Sequence, residues 1–154
     1  MTTITPNSRS PLQHATDDSI SVSLGPLEGM LNQSSGNMFD AEHFEEVGKE
    51  LRRLHARLRI HHAADYVAAT GEPSDIIPPE LSEEMNRLRA EHPIMLRQLD
   101  CLIRSVDSMA DRSLEDKEVF VLRGKELIAM LRRHEAEEDR LFYLSVWCDI
   151  GGES

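Results

Sequence analysis

Three long stretches of this sequence repeat apolar residues three and four positions apart, which places them along one face of an α-helix. The stretches begin near Asp40, Pro79 and Ser113, and short breaker segments separate them. The stripe residues are Phe44, Val47, Leu51, Leu54 and Leu58; then Leu81, Met85, Leu88, Met95, Leu99, Leu102, Val106 and Met109; then Phe120, Gly124, Leu127, Leu131 and Leu141. Asp40 and Ser113 are predicted N-caps. Since short connections favour antiparallel neighbours, the pattern predicts an all-α, antiparallel up-down helical bundle.

Residues 1–37 differ from the rest of the chain because they are rich in Ser, Thr, Pro, Gly and Asn. This composition predicts a flexible N-terminal arm with a short or irregular helix, and we place the helical domain at 38–150. If that arm forms no helix, three long helices leave one side of the core open. Such a gap would favour a partner or a homodimer, and it would leave Leu27, Met30 and Leu31 exposed.

Composition excludes several functional classes. The 28 Asp and Glu residues outnumber 17 Lys and Arg, so the formal net charge is −11, which disfavours nucleic acid and anionic membrane surfaces as partners. No apolar run approaches the roughly 18 residues that span a bilayer, and no signal-peptide core is found, so we expect a cytoplasmic protein. Cys101 and Cys148 lie far apart in helical patterns and are expected to be reduced packing residues.

Each apolar stripe contains histidine or acidic residues, the residue types that commonly bind metals. His61 with Asp65 continues the first stripe, His92 lies in the second, and His134 with Glu138 lies in the third. A histidine and a carboxylate four residues apart lie one helical turn apart and point the same way. A buried carboxylate needs compensation, which a metal ion, a histidine partner or water at an open bundle end can supply. The recurrence on separate stripes favours a metal site.

Three other histidines leave alternatives open. His62 exchanges with His61 if the helix rotates slightly, whereas His55 is either a boundary packing residue or a further ligand. His43 lies in the first turn of its helix and is expected to face solvent. Pro93 follows His92 directly, so either the helix kinks there or one helix ends and another begins.

The motifs HEAEEDRLF at 134–142, HHAAD at 61–65 and Glu91-His92 resemble the hemerythrin-like (HHE cation-binding) family over about residues 41–147. The resemblance implies four antiparallel helices around a non-haem di-iron centre. By the same resemblance, Asp65 and Glu138 match the bridging carboxylates. His61, His92 and His134 match three of the histidine ligands.

The sequence also departs from this family. The region 24–32 contains no histidine where the family's first helix supplies one, and His14 is the only upstream candidate. Leu96 stands one turn after His92, where oxygen-carrying members place a further histidine, and Asp65 replaces the commoner glutamate. The reduced ligand set argues against reversible oxygen carriage.

Two functions follow as expectations. The first is a non-haem iron protein that senses or handles O₂, NO, peroxide or iron, with zinc or manganese as other candidate metals and a small diatomic molecule or oxidant as its ligand. The second is a degenerate bundle without metal that acts as an interaction or signalling module. No general base accompanies a nucleophile, so no catalytic residue is assigned.

Overall fold

Four α-helices make up most of the computed structural model, which describes residues 20–33, 40–70 and 79–150, with side chains over 20–33, 40–63 and 79–147. The helices are α1 (Ile20–Gln33), α2 (Ala41–Thr70), α3 (Pro79–Val106) and α4 (Leu114–Ile150), and a 3₁₀ turn at Met109–Asp111 lies between α3 and α4. These ranges contain no β-strand, so the predicted all-α class is confirmed. None of the helices described is both long and apolar enough to cross a membrane.

The predicted N-caps begin two of the helices. Oδ1 of Asp40 accepts the backbone N–H of His43 at 2.8 Å, and Oγ of Ser113 accepts that of Asp116 at 3.1 Å. Each bond satisfies an N–H group that has no partner within its own helix. Helix α3 continues through Pro93, so of the two alternatives at this position the helix end is wrong.

Each long helix packs against two neighbours. Helices α1 and α3 both contact α2 and α4. Across the seam between α1 and α4, Ser21 contacts Glu135 and Glu28 contacts Arg132. Residue numbers therefore rise along one helix while they fall along the other.

The same reversed order holds at the two seams of α3. From α2, Arg52 pairs at 3.1 Å with Asp107, which directly follows α3, and His55 pairs at 2.9 Å with Asp100 of α3. Between α3 and α4, Arg140 reaches Glu84 at 2.7 Å and His134 reaches Glu91 at 2.9 Å. Because the order is reversed, the later turns of α2 and α4 lie level with the first half of α3.

Helix α1 closes the fourth side of the core. It lies in the segment that the sequence assigns to the N-terminal arm, as the short helix of that arm. Leu27 and Leu31 are each 1% exposed, and Met30 packs against the core. The condition for an open core is therefore not met, because α1 forms and buries Leu27 and Leu31 between α2 and α4.

Cys101 is a free thiol, as predicted, but the predicted packing role is wrong because its side chain is exposed. Leu99 and Leu102 take the inward positions of this part of α3. Cys101 therefore lies on the outer side of the helix, although it stands among apolar residues in the sequence. The side chain of Cys148 lies outside the described residues.

We expect Gly124→Val to destabilise the protein by about 1–3 kcal/mol through overpacking. A Cβ at Gly124 would lie 2.8 Å from Cδ1 of Leu31, which is buried where α1 meets α4. Urea denaturation measures the difference. The matched control is Gly29→Val, because a Cβ at Gly29 meets nothing within 4 Å. Equal stability of the two variants would contradict the close approach of α1 to α4.

Candidate metal centre

The bundle brings predicted ligands from three helices to one level. His61 lies on α2, His92 on α3, and His134 with Glu138 on α4. His92 and His134 are 8% and 4% exposed, while the side chains of Glu138 and His61 are 19% and 29% exposed. His92 and His134 thus share a layer, the arrangement that a common site on these helices requires.

Three ligand atoms converge on one point. Nε2 of His92 and Nε2 of His134 lie 2.9 Å apart, and Oε1 of Glu138 lies 3.2 Å from the first and 2.9 Å from the second. We call these three atoms the ligand triangle. A metal about 2.1 Å from each ligand separates neighbouring ligands by about 3.0 Å in octahedral and about 3.4 Å in tetrahedral geometry. The ligand triangle fits a single ion.

When His134 is neutral, hydrogen bonds within the protein leave lone pairs facing one another in the ligand triangle. Nδ1 of His134 lies 2.9 Å from Oε2 of Glu91, and because a carboxylate only accepts, Nδ1–H is the donor. Neutral His134 then offers a lone pair at Nε2, beside the lone pairs of Oε1 of Glu138. One proton bridges only one edge of the triangle, whereas a cation at its centre is attracted to all three atoms.

The second oxygen of Glu138 faces a different histidine. Nε2 of His61 lies 3.1 Å from Oε2 of Glu138, while Oε1 belongs to the ligand triangle. The carboxylate therefore spans the space between His61 on one side and His92 with His134 on the other. A carboxylate placed in this way can bridge two adjacent ions.

Electrostatics at the site favour an ionised Glu138. Burial raises the pKa of its carboxyl, but the hydrogen bonds with His134, His61 and His92 together hold that pKa well below its ordinary value. Burial likewise lowers the pKa of His134, and the hydrogen bonds with Glu138 and Glu91 outweigh it and raise that pKa. The site is therefore arranged to hold positive charge.

Neither ring nitrogen of His62 has a hydrogen-bond partner. Its ring stacks on the ring of His92, with centroids 3.7 Å apart and planes 1° from parallel. Burial, together with the neighbouring His92, lowers the pKa of His62 to about 4, so this imidazole is neutral at pH 7. Of the two adjacent histidines, the structure places His61 at the carboxylate.

The other predicted candidates lie elsewhere or are not described. His55 is held by Asp100 at the seam between α2 and α3. His43 lies in the first turn of α2, where its ring contacts Phe44. The side chain of Asp65 lies outside the described residues, as does His14, so the ligand role of Asp65 stays a prediction.

Glu91 is a site residue to which sequence reasoning assigned no role. It orients His134 by accepting from Nδ1, the arrangement in which carboxylates commonly support metal-binding histidines. The available signal was its position directly before His92. A position next to His92 does not by itself predict the contact with His134, because that contact depends on how α3 and α4 pack.

Comparison with known proteins does not identify the family. No protein-family model matches this chain, and no curated protein or solved structure matches it. The candidate centre is therefore supported by the convergence of its side chains and by the motifs at 61–65, 91–92 and 134–142.

We expect Glu138→Ala to destabilise the metal-free protein by about 1–3 kcal/mol at pH 7, because buried histidine nitrogens lose their acceptor. Since the folded pKa of Glu138 is depressed, this stabilisation is complete above the ordinary value of 4.5 and is lost as the pH falls towards the folded pKa. Urea denaturation of chelator-treated protein between pH 7 and pH 3 measures both effects.

The control for this prediction is Glu137→Ala. Glu137 is partly exposed and pairs only at the surface with Arg140, so its replacement is expected to change stability by less than about 0.5 kcal/mol. An equal effect of the two substitutions would show that the histidine cluster does not depend on the buried carboxylate.

Proposed function

We propose that this chain is a hemerythrin-like, antiparallel four-helix protein that holds non-haem iron at His61, Asp65, His92, His134 and Glu138. The ligand triangle carries this proposal, because its three acceptor atoms lie at separations suited to one ion. The reversed order of contacts along neighbouring helices supports the antiparallel arrangement.

The donor set favours iron, manganese or zinc over calcium or magnesium. Imidazole nitrogens suit these transition metals, whereas calcium and magnesium prefer oxygen ligands alone. The contact of Glu138 with His61 through its second oxygen supports a place for a second ion. We take iron as the metal because of the sequence motifs.

The protein's own groups hold and orient the ligands. Glu91 keeps the proton of His134 on Nδ1, so that the lone pair of Nε2 faces the ligand triangle. Burial of His92 and His134 keeps water from competing for these lone pairs. When bound, iron would supply a redox-active Lewis acid for a small molecule such as O₂, NO or peroxide.

We propose a role in sensing or handling such molecules, or iron itself, in place of oxygen carriage. Leu96 lies one turn after His92, packs against the core and provides no ligand. The ligand set is therefore smaller than that of the oxygen carriers that the motifs resemble. A smaller set leaves coordination positions for an external molecule.

We expect protein purified from iron-supplemented cells to retain about one or two iron ions per chain, and the double variant His134→Ala, Glu138→Ala to lose them. Elemental analysis measures the metal, and an absorption spectrum with and without oxygen reports its surroundings. His55→Ala is the matched control, because His55 pairs with Asp100 outside the site, and it is expected to keep the metal.

Little metal in the wild-type protein, unchanged in the double variant, would contradict the iron proposal. The second function would then apply, in which the histidines and acids stabilise an interaction or signalling bundle through hydrogen bonds. Zinc or manganese at the same stoichiometry, lost in the double variant, would keep the site and change the metal.

We expect Glu91→Gln to weaken metal binding about 10- to 100-fold, because an amide in place of the carboxylate no longer fixes the protonation of His134. Competition with a coloured chelator measures the affinity. Glu84→Gln is the control, since Glu84 lies on the same helix but pairs with Arg140 at the surface, and it is expected to leave the affinity unchanged. Equal affinities in both variants would exclude a supporting role for Glu91.

A further inference from the structure

The last turns of α4 expose four large apolar side chains within six residues. They are Phe142, Tyr143, Val146 and Trp147. Phe142 and Val146 lie one helical turn apart, as do Tyr143 and Trp147, whose ring centroids are 5.7 Å apart. The four side chains therefore form one continuous surface, which we call the aromatic face.

Part of the aromatic face continues the side of α4 that α1 covers. Ser21, in the first turn of α1, donates to Glu135, and the next contact between these helices lies nearer the start of α4. Phe142 and Val146 follow Glu135 by seven and eleven residues, or about two and three helical turns, so they share its side of α4. In the described part of the chain, α1 begins at Ile20 and ends short of them. The inner stripe thus continues as exposed apolar surface.

The size of the aromatic face matches the apolar part of a dimer interface. Phe142, Tyr143 and Trp147 are 72%, 60% and 55% exposed. Because an aromatic side chain can bury 150–250 Å², these three and Val146 together expose roughly 400–500 Å². A standard interface buries about 800 Å² per partner, and in homodimers about 65% of it is apolar, or about 500 Å². Two copies of the aromatic face would therefore supply most of the apolar area that a stable homodimer needs.

The charges around the aromatic face allow two acidic chains to meet there. Each chain has a formal net charge of −11, but residues 141–148 include no charged residue. Arg140, just before them, is already paired with Glu84 and Glu137. In a two-fold antiparallel contact centred on the aromatic face, Asp139 of one copy lies roughly 15–20 Å along the helix from Asp139 of the other. That separation exceeds the Debye length of about 8 Å at physiological salt, so the repulsion is largely screened.

We propose that the aromatic face joins two copies of this chain in a two-fold symmetric dimer, with the last turns of the two α4 helices antiparallel. A two-fold contact is self-complementary, so the same side chains serve both partners. Tyr and Trp are among the residues that contribute most to binding at interfaces. Homodimer interfaces are also more apolar than those between different proteins, which favours a second copy as the occupant of an uncharged face. This inference goes beyond the proposed function and does not depend on the metal.

Sedimentation equilibrium of the full chain between about 1 and 100 μM tests the dimer, because interfaces of this size commonly dissociate in or below this range. Trp147 is the single tryptophan, so its fluorescence reports on the aromatic face itself. We expect its emission to shift to longer wavelength on dilution, over the same range in which the mass falls from two chains to one. Added salt is expected to tighten the dimer, because it screens the repulsion between the two net charges.

We expect Phe142→Glu to weaken dimerisation about 100-fold and Val146→Glu about 10- to 100-fold, because each places a charge from both copies in the apolar contact. Both positions are exposed, so the helical circular dichroism is expected to stay unchanged. The matched control is Leu122→Glu. It adds the same charge at an exposed apolar position of α4, about 30 Å along the helix from Phe142, and is expected to dimerise like the wild type.

Several outcomes would overturn this proposal. A wild type that stays monomeric at about 100 μM shows that the aromatic face does not join two copies with useful affinity. Equal weakening in Phe142→Glu and Leu122→Glu shows that added charge, and not the aromatic face, controls association. Dimerisation that leaves the emission of Trp147 unchanged places the interface elsewhere. A dimer that weakens as salt rises is held by charge pairs, which the aromatic face does not contain.

Discussion

The burial of the Glu138 carboxylate among imidazoles is the constraint on which the rest of this structure depends. A buried carboxylate is costly unless several groups stabilise its charge. Here the groups come from α2, α3 and α4, so the three helices must meet at one level for the charge to be tolerated. The same requirement concentrates lone pairs at one point, and this concentration makes the site suitable for a metal.

The two ends of the surrounding bundle differ in the side chains that they bury. Towards the 3₁₀ turn, helix α1 and the apolar stripes form a core that includes Leu31 packed against Gly124. Towards the other end, His92 and His134 take inward positions beside the buried Leu88 and Leu141. The apolar core stabilises the fold, so the polar cluster can carry groups whose burial is unfavourable by itself.

Much of the fold could be predicted from local patterns. Periodicity predicted the three long helices, and the side chains of Asp40 and Ser113 predicted where two of them begin. The buried positions of His92 and His134 follow from the same stripes. The apolar pattern wrongly predicts a packing role for Cys101, because a residue next to Leu102 in the sequence lies on another side of the helix.

By itself, the sequence determined that this protein is helical and that histidines and acids interrupt its apolar faces, because both properties follow from spacing along one chain. Tertiary structure alone decided that His61 rather than His62 meets Glu138 and that Glu91 supports His134. Such contacts join residues far apart in the sequence. They depend on the rotation and offset of whole helices, which the packing of many side chains sets together.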